Sequence, residues 1–136
     1  MRVILYIRWQ KNLMHIIVMI LIGLVAAIHL YIMWLEMFAW TTKGPKSFSS
    51  IPKHLFEPTK VLAANQGLYN GFLAAGLIWS LLIKDHHWAF HVGVFFLTCV
   101  IVAGVYGAAT ASKKIFFVQA LPALITLILM HFAHKI

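Results

Sequence analysis

Four long apolar stretches, separated by short polar or charged intervals, dominate the pattern along this chain. They run from Lys11 to Glu36, Lys60 to Lys84, Asp85 to Lys113 and Lys114 to Lys135. Each holds roughly 20 residues or more, and at about 1.5 Å of rise per helical residue such a run crosses a hydrocarbon layer of roughly 30 Å. The pattern predicts four membrane-spanning helices, over residues 13–40, 61–83, 88–111 and 115–134. Residues 1–12, where Tyr6 and Trp9 stand among Arg2, Arg8 and Lys11, read as an interfacial lead-in to the first span. The first apolar run is longer than a signal core and has no persuasive small-residue cleavage site, so it is expected to persist as a helix.

Only one connection is long. It covers residues 41–60 and carries Gly44, Pro45, Pro52 and Pro58, which interrupt helix and favour turns. Its Phe48, Ile51, Leu55 and Phe56 are expected against the membrane surface or the bundle rim. The connections at 84–87 and 112–114 are short enough to force antiparallel neighbours. The expected fold class is all-α, an integral membrane antiparallel four-helix bundle forming one domain over residues 13–136. An even number of spans puts both termini on one side, side A, and the long connection on side B. Basic residues divide almost evenly between the sides, so the positive-inside rule does not choose the orientation. Trp9 and Trp88 near side A and Trp40 near side B fit interfacial aromatic belts.

Composition supports the class: 62% hydrophobic and 10% charged residues, with a mean hydropathy of +0.90, exclude an ordinary soluble domain. The formal charge of +8 comes from lysines scattered over helix ends and one loop. Such scatter fits anionic lipid headgroups, and no nucleic acid is expected as a partner. The single cysteine, Cys99, reads as a small apolar residue and excludes an internal disulfide. A multi-pass protein, placed in a bacterial cytoplasmic membrane, is the expected setting.

Polar positions inside the spans then change the picture. Glu36 is the only acidic side chain within an apolar run, and a carboxyl at membrane depth is costly unless it faces protein or water. Asn65, Gln66, Tyr69 and Asn70 open the second span from side B, Tyr106 and Thr110 close the third there, and Gln119 lies in the first turns of the fourth. His29 stands seven residues from Glu36, on the same helical face. These nine residues are the candidate ligand-binding set, expected to turn towards a shared polar chamber. Tyr31 and Trp34 would add apolar walls. A purely structural interhelical network is the alternative use of the same residues. Pro122 would kink the fourth span and free a carbonyl near Val118 towards the chamber.

Two further patterns bear on packing and chemistry. Ala63, Gly67, Gly71 and Ala75 repeat every four residues, as do Ala103, Gly107 and Ala111, spacings that allow close helix approach within the chain or with a second copy. His15, His86, His87, His91, His131 and His134 fall towards side A. His87 with His91 and His131 with His134 have ligand-like spacing, but interfacial histidines are common at helix ends, and neither a metal nor a cofactor is expected. No GxSxG, Walker loop or dinucleotide fingerprint occurs, so motif-defined catalysis has no support.

The segments HLYIMWLEMFAW (residues 29–40), TKVLAANQGLYNGFLAAGLIW (59–79), VAGVYGAAT (102–110) and FFVQALPALITL (116–127) resemble the DUF1304 family of small integral membrane proteins. The resemblance covers nearly everything after Leu13. It implies a four-span fold and carries no established reaction, substrate or catalytic residue. On the residues alone, the leading expectation is binding or transport of an amphipathic or lipophilic small molecule around Glu36. A lipid- or isoprenoid-modifying enzyme using Glu36 and His29, and a structural accessory subunit, are the alternatives.

Overall fold

The computed structural model describes the backbone of residues 2–135 and the side chains of residues 12–135, and helix is the only regular structure among them. Helix α1 spans Arg2–Phe38, the short α2 Gly44–Ser47, α3 Lys60–Leu82, α4 His86–Thr110 and α5 Leu121–Lys135. A 3-10 turn covers Lys53–Leu55, and a π-helical segment, Phe116–Ala120, leads directly into α5. The expected lead-in continues the α1 backbone; its side chains through Lys11 lie outside the described residues.

Helix α1 packs most extensively on α3, α3 on α4, α4 on α5, and α5 returns to α1. The four long helices therefore close a ring in chain order. By length and apolar composition, Asn12–Phe38, His86–Thr110 and Phe116–Lys135 can each cross a membrane. Helix α3 has 23 residues, a sufficient length, but Asn65, Gln66, Tyr69 and Asn70 lower the hydropathy of its first half. The molecule is an all-α membrane bundle whose second long helix is polar at one end.

Inward positions on α1 follow a three-and-four rhythm through Val18, Ile22, Val25, His29, Ile32 and Glu36, all buried. Val18, Ile22 and Val25 meet Leu77, Leu97, Val100, Ala123 and Met130 in the main core. Lipid supplies little hydrophobic drive between helices, so close packing must hold such a core together. Gly67 supplies it at α1: an added Cβ there would stand 3.0 Å from the Met33 carbonyl oxygen and 3.0 Å from Glu36 Cβ. Gly104 does the same for α4, where a Cβ would lie 2.8 Å from the Ala120 backbone nitrogen.

The every-four stripes expected from sequence hold only in part. On α3 the buried line runs through Ala63, Gly67, Asn70, Ala74 and Leu77, while Ala75 is exposed. On α4 it runs through Gly93, Leu97, Val100 and Gly104, leaving Ala103 and Ala111 exposed. With about 3.6 residues per turn, a strict spacing of four drifts around the helix, and alternating three with four stays on one face.

The long connection folds back on Trp40. Trp40, Phe56 and Ala63 form a second small core with Phe48 and Ile51 against it, and Trp40 Nε1 donates to Thr59 Oγ1 at 3.1 Å. Phe48, Ile51 and Phe56 thus cap the bundle rim, whereas Leu55 is exposed. Trp40, expected in an aromatic belt, is a core residue of this cap. Before Pro122 the chain takes the π form, with Leu121 N donating to the Phe116 carbonyl. Proline lacks the N–H that would bond Val118, so the i to i−4 ladder is broken at this point.

Candidate functional site

Glu36 is buried on α1, at 8% exposure, and faces α3. Asn70 Nδ2 donates to Glu36 Oε2 at 2.9 Å and also lies 3.2 Å from the Gln66 carbonyl. The contact forms because Gly67, one turn before Asn70, lets the two backbones approach. A buried carboxyl with a donor on the facing helix is satisfied where the bare group would be expensive.

His29 is fully buried. Its Nδ1 lies 2.8 Å from the Val25 carbonyl, one turn back on the same helix, so Nδ1 carries the proton and donates. Nε2 is then an acceptor, and it has no partner among the described residues. His15, Ile22, His29 and Glu36 succeed one another at intervals of seven along α1, each step a rise of about 10 Å.

The other expected site residues turn elsewhere. Asn65 and Gln66 are exposed on α3, Tyr69 is 54% exposed beside Phe72, and Tyr106 is 70% exposed on α4. Thr110 is exposed and donates to the Tyr106 carbonyl at 2.8 Å. Gln119 is half-buried within the π segment. Tyr31 and Trp34, expected as chamber walls, lie against each other with tilted rings, centroids 5.8 Å apart, on the exposed side of α1. Of the nine candidates, the fold directly joins Glu36 and Asn70 and places His29 in the core behind them.

A cleft of about 730 Å³ opens at side A, at the other end of the bundle. Val18 and Ile22 from α1, Phe90 from α4 and Met130 from α5 supply its apolar lining, and Ser80 enters from α3. His15, Lys84, His86 and His134 also line it, and all four are exposed. The His134 ring stacks on Phe90 with centroids 4.1 Å apart, and His15 meets His86 edge-on at 5.9 Å. Ser80 Oγ donates to the Leu77 carbonyl at 2.7 Å, leaving its lone pairs for an occupant.

Asp85, beside this cleft in sequence, caps α4 by accepting from Trp88 N at 2.9 Å. That hydrogen bond holds its carboxyl below the ordinary aspartate range; the His87 N–H and the His87 and His86 imidazoles act in the same direction. Farther along α4, His87 and His91 bring Nε2 atoms within 3.1 Å, while no set of three His, Cys, Asp or Glu among the described residues is arranged to hold a metal ion.

His15, His86 and His134, expected at side A from their positions in the chain, are joined there by Ser80, Lys84, Phe90 and Met130, which sequence position alone does not connect to them. No spacing rule finds such a site, because its walls come from four separate helices.

The family described as "Protein of unknown function (DUF1304)" matches residues 23–131, most of the chain. The chain belongs to the DUF1304 family. A similar relative, described as the uncharacterized protein YpaA of Lactococcus lactis subsp. lactis (strain IL1403), is 34% identical over 117 residues. That alignment covers 85% of this chain and 97% of the relative. No solved structure matches. The DUF1304 region contains His29, Glu36, Asn70, Ser80, Lys84, His86 and Phe90; His15 and His134 lie just outside it.

Proposed function

We propose that this DUF1304 protein binds an amphipathic small molecule between its helices, in the side A cleft. One observation carries the reading: about 730 Å³ of space combines an apolar interior with a basic and imidazole-bearing rim. That volume falls among those of small-molecule sites, roughly 300–1,000 Å³. In this reading Glu36 and Asn70 do not touch the ligand. They hold α1 to α3 in the side B half, while the side A ends leave room for an occupant. A relative in Lactococcus lactis supports a bacterial cytoplasmic membrane as the setting.

The test is crosslinking of the full chain in nanodiscs with a diazirine-bearing alkyl amphiphile, mapped by mass spectrometry. Label concentrated on peptides carrying Val18, Ile22, Ala89 and Met130, and removed by Ala89→Trp, supports the reading. Label spread over outward residues such as Ile20, Phe95 and Phe132, and unaffected by the substitution, overturns it.

A second reading, a lipid-modifying enzyme with His29 as proton acceptor, draws on the unpartnered Nε2 of His29. It predicts a product missing from lipid extracts of cells carrying His29→Phe. Identical extracts from parent and variant overturn it.

A further inference from the structure

We propose that the side A cleft takes a single-chain anionic amphiphile, its acid head held by Lys84, His15, His86 and His134 and its alkyl chain laid over Val18, Ile22 and Met130. This rests on the reading of the cleft as a binding site and names the chemistry of its ligand.

Charge complementarity carries the argument. Among the described residues the lining contains no aspartate or glutamate, while Lys84 and three histidines converge on it from α1, from the connection between α3 and α4, from the start of α4 and from the end of α5. Asp85 is the acidic group nearest in sequence, and its carboxylate is already engaged by Trp88 N. It also lies outside the residues that line the cleft. Each imidazole offers at least one N–H donor whether or not it carries charge, and Lys84 offers three. A carboxylate or phosphate accepts such bonds more strongly than a neutral head does.

Below the rim the chemistry reverses. Val18, Ile22 and Met130 are the least buried residues of the main core, at 4%, 4% and 7% exposure, and they offer an alkyl chain contact without a polar group to desolvate. Met19 and Leu82 line the same cleft and are themselves exposed, so the chain can enter sideways from the surrounding lipid. The volume suits one drug-sized molecule, at roughly 300–1,000 Å³, and so favours one chain over a two-chain phospholipid.

A fatty carboxylate and an anionic lysolipid share this chemistry, and competition separates them. Full-length protein in phosphatidylcholine nanodiscs is labelled with the diazirine amphiphile, then challenged with laurate, lauroyl lysophosphatidylglycerol, dodecylphosphocholine or dodecyltrimethylammonium. The anions are expected to displace label at concentrations roughly tenfold below the other two, the difference of one charge-assisted contact. The lower of the two anion values names the source. Lys84→Glu, in an exposed connection, should abolish the preference, while Lys114→Glu, the same charge change at the opposite end, should retain it. Equal displacement by all four overturns the anion assignment and leaves the cleft reading standing; so does preference for the cation. Displacement by none of them overturns both. A preference lost equally in both lysine variants assigns the selectivity to net charge and overturns the proposal.

Discussion

Asn70 Nδ2 meets Glu36 Oε2 at 2.9 Å across the contact between α1 and α3, so the one acidic group within the apolar runs is partnered by an amide on the facing helix. The pair stands where Gly67 brings the two backbones together. It ties the polar end of α3 to the only helix that carries a buried acid.

Removing the donor alone should therefore cost more than removing both groups. Asn70→Leu strands the carboxyl and is expected to destabilise by about 1–3 kcal/mol, while Glu36→Gln keeps an acceptor and costs less. The double replacement Glu36→Leu with Asn70→Leu should recover part of the loss. Thermal melts in detergent of the parent, Glu36→Leu, Asn70→Leu and the double variant form a double-mutant cycle, and strictly additive shifts would show that the two side chains do not support each other.

Two glycines on opposing helices should respond in opposite directions to one methyl group. Gly67→Ala places its Cβ 2.7 Å from Met37 Cγ and 3.0 Å from the Met33 carbonyl; the methionine can move, but the carbonyl belongs to the α1 backbone. A loss of about 1–3 kcal/mol is expected from overpacking. Gly23→Ala meets nothing within 4 Å and should hold or gain stability, by up to about 1 kcal/mol from helix propensity. Equal melting points for the two variants would contradict the close approach at Gly67.

His29 permits a comparison of shape against polarity. His29→Ala leaves a void in a fully buried position and should cost about 2–5 kcal/mol. His29→Phe fills that space with a ring somewhat larger than imidazole and removes the unpartnered Nε2, so its cost is expected to stay below that of the void, at about 1–3 kcal/mol from overpacking. Melting curves decide: a phenylalanine variant as unstable as the alanine variant would mean that the imidazole makes a polar contact essential to the fold.

The capping carboxylate of Asp85 makes a pH prediction. Its folded pKa lies below the ordinary 3.8 because Trp88 N donates to it. The stability it lends is complete above that ordinary value and lost as pH falls through the lower folded value. Protection of the first-turn amides of α4 against hydrogen exchange, taken relative to the intrinsic rate at each pH, should therefore be full at pH 5 and above, a threshold set about one unit over the reference for aspartate, and fall in stronger acid. Asp85→Ala should exchange fast throughout. A parent profile as fast as the variant's at neutral pH would show that the cap is not formed.

Some of this was legible from residues alone. Four apolar runs demand helices because a backbone in hydrocarbon must satisfy its own hydrogen bonds, and that demand is local. The isolation of Glu36 among apolar residues marked it for burial, and Asn70 was already among the groups available at its depth. Tyr69, Tyr106 and Thr110 share that depth yet face outward, since depth follows from counting residues while azimuth depends on which side of each helix meets a neighbour.

The chain by itself determined the class, the helix positions and the presence of a buried acid, because these follow from hydropathy and from the fixed rise of a helix. Only tertiary structure decided that Asn70 would partner Glu36, that Trp40 would become the core of a loop cap, and that the open volume would lie at side A. Those outcomes depend on helix rotation and mutual approach, which small residues such as Gly67 and Gly104 set through contacts between segments far apart in sequence.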